Sequence, residues 1–217
     1  MKRASEIIKE LNKFRPGAKS ELIHKNPLEF MIAVILSAQA TDRSVNKVTP
    51  KLFDKFKAAE DYARSSMEEL SIYINSVNFY KTKAQRLQKA CAFLVEYFNG
   101  EIPEHMEKLT KIPGIARKSA NVISQEIFNI VEGIVVDTHV TRVSQRLGFT
   151  KEKDAVKIEK ELMEIVPRKD WKDYGVQMVL HGRYICIAKN PKCPACPINK
   201  LCPSARLPSV ILPSAGL

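Results

Sequence analysis

Apolar residues recur at helical spacing along almost the whole chain, separated by short polar or Pro/Gly breaks. Ile7, Ile8, Leu11 and Phe14 form the first stripe, read as a surface helix capped by Ser5 and stopped by Pro16-Gly17. Asn26 and Pro27 make a cap and first-turn pair for "LEFMIAVILSA" (28 to 38), which is apolar nearly all round and predicts a buried central helix. Its far end turns polar at Gln39, Thr41 and Asp42. Leu87, Cys91, Leu94, Val95 and Phe98 form a further stripe closed by Gly100, and Ile158, Leu162, Ile165 and Val166 form another before Pro167. Only "GIVV" (133 to 136) reads as extended, and it is too short to found a sheet. With no internal repeat, the pattern predicts an all-α fold of many short helices. The last segment, "SARLPSVILPSAGL" (204 to 217), loses the periodicity and is compatible with a packed extended tail or a mobile one.

Within this helical frame, "KIPGIARKSAN" (111 to 121) places Pro113-Gly114 between a short helix ending near Leu109 and Ile112 and a second helix over 116 to 128. That is a helix-hairpin-helix. Gly114 lets backbone come close to a ligand, and the N–H groups of the following helix start favour a phosphate, a contact that grips nucleic acid without reading sequence. Arg117 suits the same phosphate. Lys118 falls in the first turn, where the helix dipole disfavours an ammonium ion, and a neutral amine is a nucleophile. A solvated or phosphate-binding lysine is the plainer alternative.

"VVDTHVTR" (135 to 142) follows. Asp137 precedes a helix carrying Val140, Val143 and Leu147 and ending at Gly148, so it reads first as an N-cap. Its second reading depends on Lys118: breaking an N-glycosidic bond needs an amine to capture C1′ and a carboxylate to stabilise the developing oxocarbenium charge.

Composition narrows the setting. Among 217 residues, 35 Lys+Arg against 24 Asp+Glu give a net charge of +11 spread along the chain, as on a folded surface that meets a polyanion. The longest apolar run, Phe30 to Leu36, is far below the roughly 20 residues that span a bilayer, and no signal-peptide pattern follows Met1-Lys2-Arg3, so an intracellular protein without a membrane partner is expected. Cys91 stands alone, whereas Cys186, Cys193, Cys196 and Cys202 crowd into a loop with Pro194, Pro197 and Pro203. In a reducing compartment such spacing indicates a metal site, zinc or iron–sulfur. Lys189, Lys192 and Lys200 in the same loop serve solubility or a second DNA-backbone contact.

Together these pieces resemble the endonuclease III family of helix-hairpin-helix DNA repair glycosylases. "LSAQATD" (36 to 42), "IPGIARKSANV" (112 to 122), "VVDTHVTRV" (135 to 143), "LHGRYIC" (180 to 186) and the C-x6-C-x2-C-x5-C spacing occur in that family's order, so the resemblance covers nearly the whole chain. It implies two helical domains with a DNA-binding cleft between them: residues 21 to 133, with the hairpin at about 109 to 128, and residues 1 to 20 joined to 134 to 217. It also implies a four-iron, four-sulfur (4Fe-4S) cluster on the loop 186 to 202, Lys118 as Schiff-base nucleophile and Asp137 as the essential carboxylate. Gln39 is implied to fill the gap left by an extruded base, and Phe79 to wedge against the opposite strand, although a core aromatic is the competing reading for Phe79. The activity implied is that of a monomeric bifunctional glycosylase and abasic-site lyase of base excision repair, acting on oxidised pyrimidines in double-stranded DNA; in a prokaryote it would be cytoplasmic and nucleoid-associated.

Two alternatives are a mismatch-specific glycosylase, which lacks the hairpin lysine and adds a C-terminal domain, and a non-catalytic binder of distorted DNA, which needs neither Lys118 nor Asp137. One departure from the family pattern is Ala116, where the hairpin usually has a second glycine. A left-handed Ala there would cost on the order of 1 kcal/mol, so the expectation is either right-handed backbone or a slightly strained hairpin.

Overall fold

The computed structural model describes residues 2 to 206; the tail beyond 206 lies outside the described residues. Two compact units account for them. One is Ser20–Glu132, and the other joins the segment up to Lys19 with the segment from Gly133 onward. No strand occurs among the described residues, so the all-α expectation holds and "GIVV" forms none.

In the continuous unit, α2 (Pro27–Ser37) is the centre. Asn26 Oδ1 accepts from the Glu29 N–H at 2.8 Å and Pro27 supplies a preset φ, so the helix starts where the sequence placed it. From Phe30 to Leu36 every residue is buried. A helix apolar on all sides needs neighbours on all sides, and α3 (Asp42–Lys55), α6 (Tyr80–Phe98) and α8 (Arg117–Ile127) provide them. Short α4 (Ala59–Arg64) and α5 (Met67–Ile74) pack on α6, and α7 (Met106–Leu109) leads into the hairpin. The stripe of α6 buries Leu87, Cys91 and Leu94 as patterned, and Asn99 and Gly100 close it with left-handed backbone.

The α6 stripe also buries Lys83, at 2% exposure, and its amine has no hydrogen-bond partner among the described residues. Burial, reinforced by nearby Arg86, lowers its pKa to about 8. Burial likewise pushes the Cys91 thiol up, leaving it a small core hydrophobe.

The discontinuous unit is built on α1 (Lys2–Phe14), α9 (Thr138–Arg146), α10 (Ala155–Ile165) and α11 (Trp171–Tyr184). Ile7, Leu11, Val140, Val143, Ile158, Leu162, Tyr174 and Met178 form its core, and the Tyr174 hydroxyl is satisfied by Ser144 Oγ at 2.8 Å. Here one expectation fails. Helix α1 begins at Lys2, so Ser5 lies inside it and caps nothing. The Arg3 guanidinium donates to the Leu147 carbonyl at 2.7 Å and sits over the Phe149 ring, holding the first turn in place of a cap.

Candidate functional site

The hairpin turn is fixed by Gly114, whose φ of +87° belongs to the region that only glycine enters freely. A Cβ at Gly114 would meet Arg86 at an ordinary 3.6 Å, so backbone conformation and not space requires the glycine. Ala116 settles the question left by the sequence. It is the N-cap of α8 with φ −83° and ψ 168°, extended and unstrained, neither right-handed helix nor left-handed. The second glycine is therefore dispensable here. Having no acceptor, Ala116 gives the helix start no side-chain cap. A helix start of this kind, at the positive end of the dipole, attracts an anion such as a phosphate oxygen. Lys118, the second residue of the helix, is exposed beside exposed Arg117.

Asp137 is the N-cap of α9. Its Oδ1 accepts from both His139 N–H and Val140 N–H at 2.8 Å, so the carboxylate is held in one orientation, half-buried. The cap reading is correct, and it is compatible with a second role because a fixed carboxylate is what electrostatic stabilisation requires. Next to it, burial holds His139 below the usual histidine range against the opposing pull of Asp137, and its Nδ1 lies 3.2 Å from the Arg142 guanidinium.

Gln39 and Phe79 share an unexpected feature: both are left-handed, with φ +53° and +60°, and neither is a residue type that favours it. Each conformation costs about 1–2 kcal/mol. Both side chains are exposed, Phe79 at 64%, which excludes the core reading for Phe79.

The four cysteines Cys186, Cys193, Cys196 and Cys202 line one cavity, with Val143, Leu147, Ile185 and Ile198 among its other walls. Among the described residues no group of three or more His, Cys, Asp or Glu is arranged to hold a single metal ion. Four thiolates around one cavity are a ligand set that either a tetrahedral zinc ion or an iron–sulfur cluster can use. Burial pushes the Cys196 thiol up to about 11, so without a cation its sulfur keeps a proton, and a bound metal would displace it. Lys189, Lys192 and Lys200 are exposed on this loop.

Sequence reasoning missed three side chains here. Arg146 donates to Cys186 Sγ at 3.2 Å and to the carbonyls of Ile187 and Ala188 at 2.8 and 2.9 Å, while Arg142 donates to the carbonyls of Cys186 and Gly182 at 3.2 and 2.8 Å. The helix that Asp137 begins is thus bolted to the loop of cysteines. The i, i+4 pair of arginines was visible in the sequence, but its target was not. His181, inside "LHGRYIC", is 2% exposed with Nε2 3.6 Å from Cys196 Sγ; burial and Arg15 bring its pKa down to about 4, so the ring is neutral.

Residues 32 to 168 match the profile of the HhH-GPD superfamily base excision DNA repair proteins. Endonuclease III of Synechocystis sp. is 45% identical over 94% of this chain and 93% of its own length, and that of Bacillus subtilis is 46% identical over 86% and 85%. A trapped covalent endonuclease III–DNA intermediate, the estranged-adenine complex, superimposes with a TM-score of 0.88 at 43% identity, covering 94% of this chain and 96% of the other. The chain is a helix-hairpin-helix base excision repair protein, and within that class it belongs to the endonuclease III family, whose members are DNA N-glycosylases and abasic-site lyases.

Proposed function

We infer that the chain removes oxidised pyrimidines from duplex DNA and nicks the strand at the resulting abasic site, with Lys118 as nucleophile and Asp137 as the electrostatic partner. The observation that carries the reading is an exposed amine in the first turn of an uncapped helix start, directly behind a glycine-built turn. The glycine turn and the positive end of the helix dipole suit a backbone phosphate, and Lys118, in the same first turn, is the amine that would reach the sugar. The target base must leave the stack, because C1′ is inaccessible inside it. Lys118 Nζ then forms a bond to C1′ as the C1′–N bond to the base breaks. The nitrogen lone pair then forms the C1′=N imine as the C1′–O4′ bond breaks and O4′ takes up a proton; the imine acidifies the C2′ hydrogen, whose loss breaks the C3′–O bond and expels the 3′ phosphate, and water finally releases the lysine. Asp137 stabilises the cationic stages. The covalent DNA intermediate captured for a relative 43% identical supports a covalent stage in the reaction.

Gln39 and Phe79 are assigned to fill the vacated stack and to wedge the opposite strand. Their exposure and shared left-handed backbone support this, since strain of that kind is retained where a function needs it. Arg117, Gly114 and the backbone at Ala116 hold phosphate, and Lys189, Lys192 and Lys200 extend the contact. Cys186, Cys193, Cys196 and Cys202 would hold a 4Fe-4S cluster, which when bound supplies a rigid anchor for the loop and one-electron redox chemistry.

Borohydride reduction on DNA carrying an abasic site tests the nucleophile. The wild-type chain is expected to be trapped covalently and Lys118→Ala to bind the same DNA without trapping. Equal trapping by the variant would sink the assignment.

A further inference from the structure

Of the two imidazole nitrogens of His181, one meets a sulfur and the other has no hydrogen-bond partner among the described residues. Nε2 lies 3.6 Å from Cys196 Sγ, whereas Nδ1 is buried with no hydrogen-bond partner among the described residues. A neutral imidazole has one proton to place. On Nδ1 it would be a buried donor without an acceptor among the described residues, and with a metal bound the Nε2 lone pair would point at the Cys196 thiolate; both are unfavourable. On Nε2 it makes an N–H···S bond and leaves only a weakly solvated lone pair behind. The sulfur therefore selects the tautomer.

His181 also touches a second cysteine. Its main-chain carbonyl accepts from the N–H of Cys186 at 2.8 Å, after the end of α11. An aliphatic side chain would fill this buried position without stranding a nitrogen, so the ring's presence asks for a purpose beyond packing. Arg146, donating to Cys186 Sγ at 3.2 Å, gives a second sulfur the same kind of partner. Hydrogen bonds to cluster sulfurs stabilise the more negative redox state and tune reduction potential.

We propose that His181 is a positioning residue for the metal centre: its Nε2–H donates to the Cys196 thiolate and raises the reduction potential of the bound cluster. This rests on the reading that the four cysteines hold a 4Fe-4S cluster. The bond transfers no atom and no electron; its effect is to lower the energy of the electron-rich form.

The test uses the full-length, cluster-loaded protein prepared without oxygen. Iron and sulfide content per chain is measured first, and absence of iron from the wild type overturns the cluster reading itself. In iron-replete protein, His181→Phe removes the donor while His181→Gln can return an N–H near the Nε2 position. Film voltammetry is expected to show a lower potential for the Phe variant, with the Gln variant shifted back toward wild type. Exchange into deuterated water is expected to shift the iron–thiolate Raman bands of the wild type more than those of the Phe variant. An unchanged potential and an unchanged isotope response in an iron-replete Phe variant would overturn the proposal. If the Phe variant does not fold, histidine-labelled wild-type protein still decides the matter by nitrogen NMR: a proton on Nε2 supports the bond, and a proton on Nδ1 refutes it.

Discussion

The side-chain amide of Asn78 donates to the main-chain carbonyl of Gln39 across 3.5 Å, tying together two loops that lie far apart in sequence. Asn78 immediately precedes Phe79, so the bond links the two exposed left-handed residues assigned to handle the opened duplex. Their strain is maintained by tertiary contact, which local sequence does not favour. Replacing Gln39 or Phe79 with Gly should leave stability unchanged or raise it by up to about 1 kcal/mol. Glycosylase activity should fall at the same time, because the side chain is lost. Chemical denaturation alongside single-turnover base release checks both halves, and a simple loss of stability would show that these residues are structural.

Asp137 is both cap and proposed charge, and substitution separates the two. Asn caps nearly as well as Asp, so Asp137→Asn should keep stability within about 0.5 kcal/mol, whereas Asp137→Ala should lose about 1 kcal/mol. Both variants should lose activity by roughly 100-fold or more, since the negative charge that stabilises the developing positive charge is gone in each. Activity that tracked stability and survived in Asp137→Asn would reduce Asp137 to a cap.

At Ala116 the helix start has no side-chain cap, and the proposed phosphate contact falls there. Ala116→Asp should add an N-cap and stabilise the chain by about 0.5–2 kcal/mol. The same carboxylate would occupy the N–H groups and repel phosphate, so DNA affinity should fall in a salt-dependent way. Melting curves and binding isotherms at two salt concentrations read the two effects independently.

Lys83 predicts a pH dependence. Its folded pKa of about 8 lies below the ordinary 10.5, so between these values the unfolded chain binds more protons than the folded one. Stability from this group therefore rises as pH increases from about 8 to about 10.5, and its burial cost is fully present below that window. Lys83→Met should be more stable than wild type at pH 7, with the difference shrinking toward pH 10.5. Urea unfolding at pH 7, 9 and 10.5 measures it.

Much of this molecule is readable along the chain. The buried helix α2, the caps at Asn26 and Asp137, the turn at Gly114 and the spacing of the cysteines all follow from local chemistry: an apolar face must be covered, helix ends need acceptors, and left-handed turns admit glycine. The family motifs added the roles proposed for Lys118 and the cysteine loop. What the chain could not disclose are states that depend on neighbours from distant segments. Residues 39 and 79 take conformations that Gln and Phe do not prefer; Ala116 escapes them by an extended backbone; and Arg3 takes over the work expected of Ser5. Lys83 has nothing in its own sequence context to mark its amine as buried, and His181 meets the Cys196 sulfur, fifteen residues away, only in the folded chain. Burial and hydrogen-bond pairing are properties of the packed chain, so the protonation and strain of these residues were decided by tertiary structure alone.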